Sequence, residues 1–349
     1  MEVLRELGLK NDQKIVLYVL DGLGGLPMTN GGKTELESAS TPNFDALARS
    51  SECGLHNPLG MGIIPGSAPG HLALFGYNPF DYAIGRGVVA AMGIAFSMKE
   101  GDVAARMNFA SRDGEGNITD RRAGRIPTEK CAQLCEMLED VSISGIEVYV
   151  KPVKDYRAVV IFRGEGLSDH VRDTDPQATG VKSFEPKARS DQGEKTARVA
   201  ADFIEQANRI LEEEKPANTV LMRGFAELPY LPSMRELYRL SPVALAVYPD
   251  YKGISRLVGM DVIEGLAGFD DQAKALQDSW DHYDFFFIHH KYIDSKGEDG
   301  DFDGKVAEIE KADAFLPRIL EQKPNALIVT GDHSTPALLK STPHILFLS

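Results

Sequence analysis

The sequence predicts an α/β fold, a mostly parallel sheet flanked by helices with a smaller α/β domain inserted into it. Three observations predict it. Apolar runs rich in β-branched or aromatic residues, KIVLYVL at 14–20, YDFFFIH at 283–289 and ALIVTG at 326–331, have the length and continuity of strands buried on both faces. An acidic residue follows each run: Asp21, Asp294, and Asp332 beside His333. Helical patterns alternate with these runs, whereas the middle of the chain reads as short strands, turns and arginines.

Each element has a local reason. In STPNFDALARS, Thr41 is placed as an N-cap and Pro42 at the first helical position, with Phe44, Leu47 and Ala48 as an inward stripe. Residues 194–215 carry Val199, Phe203, Ile204, Ala207 and Leu211 at helical spacing. EVYVKPV and RAVVIFR read as short strands. The change of pattern sets the expected domains: residues 1–84 with 238–349 form a discontinuous core, and 85–237 form an inserted substrate-binding domain.

Composition narrows the function. The chain has 349 residues, 38 Lys and Arg against 52 Asp and Glu, and a net charge of -14. That charge argues against nucleic acid or an anionic membrane as partner, while leaving room for a basic pocket that takes a small anion. No stretch reads as a signal peptide or a membrane span, so a cytoplasmic location is expected. Cys53, Cys131 and Cys135 form no CxxC pair and are expected to be buried small hydrophobes.

The strand-end acids point to a divalent metal, because open α/β sheets bind ligands beyond the carboxyl ends of their strands. IPGSAPGHLALFGY adds Ser67, placed where a helix begins and where free N–H groups suit a phosphate. Ser67 reads either as an N-cap or as a nucleophile. Pro65 breaks the G-x-S-x-G pattern of serine esterases, and Pro27 breaks the phosphate-binding P-loop pattern that NGGKTE otherwise resembles.

DGLGG, TPNFDALA, PGSAPGHLALFGYNP, GRGVVAAMGIAFS, TDRRAGR and TGDHSTP, in that order along nearly the whole chain, resemble the cofactor-independent phosphoglycerate mutases of the archaeal type, members of the alkaline phosphatase superfamily. The resemblance implies that Ser67 is the phosphorylated nucleophile and a metal ligand, and that Asp21, Asp332 and His333 complete that metal's ligands. It implies interconversion of 3-phosphoglycerate and 2-phosphoglycerate with two divalent cations, manganese or magnesium with zinc possible, and with neither nucleotide nor bisphosphoglycerate. For a small trianionic substrate it implies a clamp of arginines, Arg122 and Arg125 first, then Arg121. Lys252, Arg157 and Arg172 are further candidates.

Two positions depart from the family pattern. DSKGE places Asp294 as a ligand of the second metal but puts Glu298 where the family has histidine, which favours manganese or magnesium over zinc. A further histidine is expected after TGDHSTP, and His344 stands near that distance. Two readings follow: an active mutase, or a relative without a complete second metal site that binds a phosphorylated metabolite, hydrolyses phosphate esters weakly or phosphorylates another hydroxyl such as that of homoserine. His71, four residues after Ser67, and His289 fall in family-like segments and are expected near the site or in the core.

Overall fold

The computed structural model describes residues 9–63 and 65–340. The chain forms two compact units, Met1–Tyr82 with Leu231–Ser349, and Ala83–Tyr230. The return to the first unit precedes the expected 237/238 boundary because helix Met234–Tyr238 belongs to it. Met234 N donates to Val258 O at 2.9 Å, and the Tyr77 hydroxyl donates to Pro232 O at 2.7 Å.

Among the described residues, the sheet of the first unit is wholly parallel. Its order is Ala326–Thr330, Ile15–Leu20, Phe285–His290, Pro242–Ala246, Asp261–Val262. The three runs read from the sequence are therefore neighbours, with Leu17 opposite both Ile328 and Phe287. The short strand Pro242–Ala246, buried throughout, lies outside those three runs: five residues that open on a proline carry too little pattern. Val16, Tyr18, Leu20, Phe286 and Ile288 pack with Ile309, Phe315 and Ile319 of helix Phe302–Leu320. Strands Ile15–Leu20 and Phe285–His290 are buried along nearly their whole length, as central parallel strands require, whereas Ala326–Thr330, expected to be buried on both faces, is an outer strand in this order with Ile328 49% exposed.

Helix Pro42–Arg49 starts where expected but is capped differently. Thr41 makes no side-chain cap; its hydroxyl donates to Asp45 Oδ1 at 3.2 Å instead. Asp313, on helix Phe302–Leu320, takes over that work. It accepts from Phe44 N at 2.7 Å and from Asn43 Nδ2 at 2.8 Å. Phe44 and Leu47 are half-buried and Ala48 is exposed, so the inward stripe is narrower than its spacing implied.

The second unit is built on an antiparallel sheet. Strand Val103–Arg112 pairs with Arg157–Arg163 on one side and Thr219–Glu227 on the other; Glu147–Lys154 extends the sheet beyond Arg157–Arg163. Helices Thr128–Met137 and Glu194–Ile210 contribute Cys131, Cys135, Val199, Phe203 and Ala207 to its core. Cys131 and Cys135 are buried free thiols, whereas Cys53 is exposed, in a segment without regular structure. No helix among the described residues is long and apolar enough to cross a membrane.

Asp313→Ala is expected to destabilise the chain by about 1–2 kcal/mol, the range for loss of an effective helix cap. Thr41→Ala should stay below about 0.5 kcal/mol, as surface changes usually do. Urea unfolding of the two variants checks the order; equal losses would contradict the capping role of Asp313.

Candidate active site

Because the three neighbouring strands are parallel, their carboxyl ends reach the same edge. Asp21 N donates to His290 O at 3.0 Å, so Asp21 is the first residue past the sheet. Asp332 reaches the same edge through Gly331, and its Oδ1 accepts from Gly22 N at 3.1 Å and His333 N at 2.9 Å. Gly22 has φ +65°, and a Cβ there would lie 2.7 Å from Asp294 Cβ. Glycine is required on both counts.

Asp21, Asp332 and His333 each bring one ligand atom within 4.8 Å of the others. His333 Nε2 is 3.3 Å from Asp21 Oδ1 and 3.2 Å from Asp332 Oδ2. Around Asp21 lie His289 Nε2 at 3.4 Å and Lys291 Nζ at 3.3 Å, and the Tyr251 hydroxyl donates to its Oδ2. Lys291 also pairs with Asp294. Asp21, Asp294, Asp332, His289 and Tyr251 are all nearly or fully buried.

The electrostatics separate these groups. Burial works to raise the Asp21 pKa, but Lys291, His289 and His333 outweigh it and hold the carboxyl well below its ordinary range. Asp332 is pushed up to about 7, by burial first and by Asp21 second, with His333 and Lys291 offsetting only part of the rise. His71 is lowered to about 3, chiefly by burial and then by His289. For His333 burial acts downward, yet Asp332, Asp21 and Asp294 raise it.

The donor set fits a divalent cation. Asp21 Oδ1 and Asp332 Oδ2, both buried, have no hydrogen-bond partner among the described residues. Unanswered carboxylate oxygens out of water are costly, and two of them facing one imidazole nitrogen form an oxygen- and nitrogen-rich cation site.

Ser67 is half-buried and opens helix Ser67–Leu74, with Gly66 extended before it. One turn later His71 Nδ1 donates to Ser67 O at 2.8 Å and lies 3.7 Å from Asp332 Oδ2. The serine backbone is thus tied, through a single side chain, to the acidic cluster.

The remaining expected residues are distributed unevenly. Asp294 is buried against the cluster, its Oδ1 3.9 Å from His333 Nδ1. Glu298, one turn further on, is exposed, and Asp21, Asp332 and His333 form their cluster without it. His344 lies outside the described residues. In the second unit Arg121 is committed to Asp175 through two hydrogen bonds of 2.8 and 2.7 Å. Arg122 and Arg125 are exposed, on the turn that follows Asp120. Arg157 lies over Tyr156 and Arg172 over Phe184. Lys252 is nearly buried and paired with Glu264 at 2.7 Å.

Residues 48–218 match the family model of 2,3-bisphosphoglycerate-independent phosphoglycerate mutase. A probable mutase of that name from Thermus thermophilus is 49% identical over 345 residues, 97% of this chain and 85% of the relative. One from Aquifex aeolicus is 49% identical over 350 residues, 97% of this chain and 86% of its own. The chain belongs to the 2,3-bisphosphoglycerate-independent phosphoglycerate mutase family. Among solved structures it is similar to the cofactor-independent phosphoglycerate mutase of Thermoplasma acidophilum, at 28% identity and TM-score 0.62, covering 92% of this chain and 87% of that one. The PH0037 protein of Pyrococcus horikoshii gives 27% identity and TM-score 0.78, covering 95% and 84%.

Within this mutase-family site, sequence reasoning missed Tyr251, Lys291 and Thr335. Lys291 carried a usable signal, since it stands two residues past the predicted strand 283–289, and it directly follows the observed strand Phe285–His290. Tyr251 carried none, because its hydroxyl reaches Asp21 from helix Pro249–Leu257. Tyr251→Phe keeps the ring stacked on His289 and removes a hydrogen bond to a buried carboxylate. The metal-free protein is expected to lose about 1.5–3 kcal/mol in urea unfolding. Saturating Mn²⁺ should shrink that loss, and an unchanged midpoint without metal would contradict the assignment.

Proposed function

We propose that this chain interconverts 3-phosphoglycerate and 2-phosphoglycerate in the cytoplasm through a phosphoserine at Ser67, with Mn²⁺ or Mg²⁺ and without bisphosphoglycerate. The observation that carries the reading is the pair of orphaned carboxylate oxygens on Asp21 and Asp332, in a cluster that His71 links to the start of the Ser67 helix. Family membership at 49% identity supports the same substrate.

The donors proposed for the first cation are Asp21, Asp332, His333 and the Ser67 hydroxyl. A bound divalent cation would lower the hydroxyl pKa and screen the phosphate charge. Ser67 Oγ then attacks phosphorus: the Oγ–P bond forms, the O3–P bond breaks, the serine proton leaves and O3 of glycerate gains one. The reverse transfer onto O2 regenerates the free serine, so no co-reactant is consumed. Lys291 keeps Asp21 and Asp294 from adding their full charge to that of the phosphoryl group.

A second cation is proposed at Asp294, with Glu298 the weaker donor given its exposed position. Arg122 and Arg125, exposed on their turn, are proposed to bind the carboxylate and phosphate of the substrate.

The test is conversion of 3-phosphoglycerate to 2-phosphoglycerate by metal-stripped protein titrated with Mn²⁺, with metal counted per chain. Saturable activity is expected, with Ser67→Ala losing on the order of 10³-fold or more in kcat while remaining folded, as when a nucleophile is deleted. Full activity in Ser67→Ala would overturn the mechanism. Phosphate release without 2-phosphoglycerate would replace isomerisation with hydrolysis.

A further inference from the structure

Thr335 lies two residues beyond His333 and is fully buried. Its Oγ1 donates to Asp294 Oδ1 at 2.5 Å and lies 3.2 Å from His333 Nδ1. A threonine hydroxyl has one proton and two lone pairs. With its proton directed to the carboxylate, the oxygen can only accept from the imidazole, so Nδ1 must carry the hydrogen. An imidazole that carries its ring hydrogen on Nδ1 binds a cation through Nε2, and here Nε2 is the nitrogen that faces Asp21 Oδ1 at 3.3 Å and Asp332 Oδ2 at 3.2 Å.

The hydroxyl is held in that place from several sides. Thr335 N donates to Gly24 O at 3.1 Å. Lys305 Nζ, fully buried, donates to Thr335 O at 2.9 Å and to Gly24 O at 2.8 Å. Gly297 gives the room: a Cβ there would collide with Thr335 O and lie 3.0 Å from its γ-methyl. With the carbonyl and methyl fixed against Gly297 and Lys305, Oγ1 is left toward Asp294 and His333.

We propose that Thr335 is a positioning residue that holds His333 in the Nδ1–H tautomer, offers Nε2 to a divalent cation, and couples that ligand to Asp294 through one hydroxyl. The proposal rests on the metal-site reading above but not on mutase turnover. Partners of this kind set the orientation and basicity of a metal-bound histidine, and losing one typically weakens metal binding about 10–100-fold.

Thr335→Val and Thr335→Ser separate this role from packing. Valine keeps the branched shape and removes the hydroxyl, whereas serine keeps the hydroxyl and removes the methyl. Mn²⁺ binding, followed by the electron paramagnetic resonance of free Mn²⁺, is expected to weaken by about 10–100-fold in Thr335→Val and to stay within about 3-fold of the parent in Thr335→Ser. Parental Mn²⁺ affinity in Thr335→Val, or an equal loss in Thr335→Ser, would overturn the proposal. Should Thr335→Val fail to fold, ¹⁵N spectra of histidine-labelled, Mg²⁺-loaded parent still decide, with His333 assigned from the missing signal of His333→Gln. The Nδ1–H form is expected, and a neutral ring protonated at Nε2 overturns the role of Thr335. A parent that shows this Mn²⁺ pattern but no mutase activity would sink the proposed function and leave Thr335 in place.

Discussion

Three carboxylates, those of Asp21, Asp294 and Asp332, are held out of water at one edge of a parallel sheet, and the first unit is arranged around their charge. An unpaired buried carboxylate costs several kcal/mol, so each must meet a cation, a proton or a donor. Lys291 answers two of them, lying against Asp294 and 3.3 Å from Asp21. Tyr251 answers Asp21 again, and two backbone N–H groups answer one oxygen of Asp332. What remains is the facing pair Asp21 Oδ1 and Asp332 Oδ2, with the Asp332 carboxyl pushed up to about 7 by burial and by Asp21. A divalent cation removes this residual charge more completely than a single proton does.

That charge is concentrated by backbone register and kept in place by the loops. Val19 stands opposite both Thr330 and His289, so the residues that follow these strands emerge together. The loop after Asp21 and the loop after Asp332 are then clamped to each other by a buried Lys305, which donates to one carbonyl of each. Glu35, also buried, lies 3.8 Å from that ammonium and accepts from Ala337 N at 2.8 Å. A lysine buried this deeply is tolerated because its donors meet carbonyls and a carboxylate; the same contacts set the spacing between the two loops that follow Asp21 and Asp332.

The parts of the site legible in the sequence are those written in local pattern. A strand of the right period followed by an acid gave Asp21 and Asp332, and a helix start gave Ser67, with His71 four residues on. Residues whose role depends on a distant partner were not legible. The helix rule named Thr41 as a cap, yet the donors at that helix start go to Asp313, far along the chain. The motif TDRRAGR named three arginines without revealing that Arg121 is turned onto the buried Asp175. The resemblance to the family placed Glu298 with Asp294 as a ligand, although only Asp294 is buried. Spacing fixes a shared stripe on a helix; depth is decided by what covers each end of that stripe.

The three histidines gathered near the acids show how one residue type is divided among roles by its partners. His71 gives its Nδ1 hydrogen to Ser67 O, and burial with His289 nearby drives its pKa down to about 3, so it is neutral. His289 is stacked on Tyr251, and burial lowers its pKa too. His333 alone faces two carboxylates with one nitrogen while a hydroxyl holds the other. This division matters for the charge balance. If His71 and His289 were cationic beside Lys291, their positive charge would neutralise Asp21 and Asp332 and weaken the attraction for a metal. Kept neutral, they fill the space between the serine helix and the sheet while leaving the negative charge in place for a divalent cation.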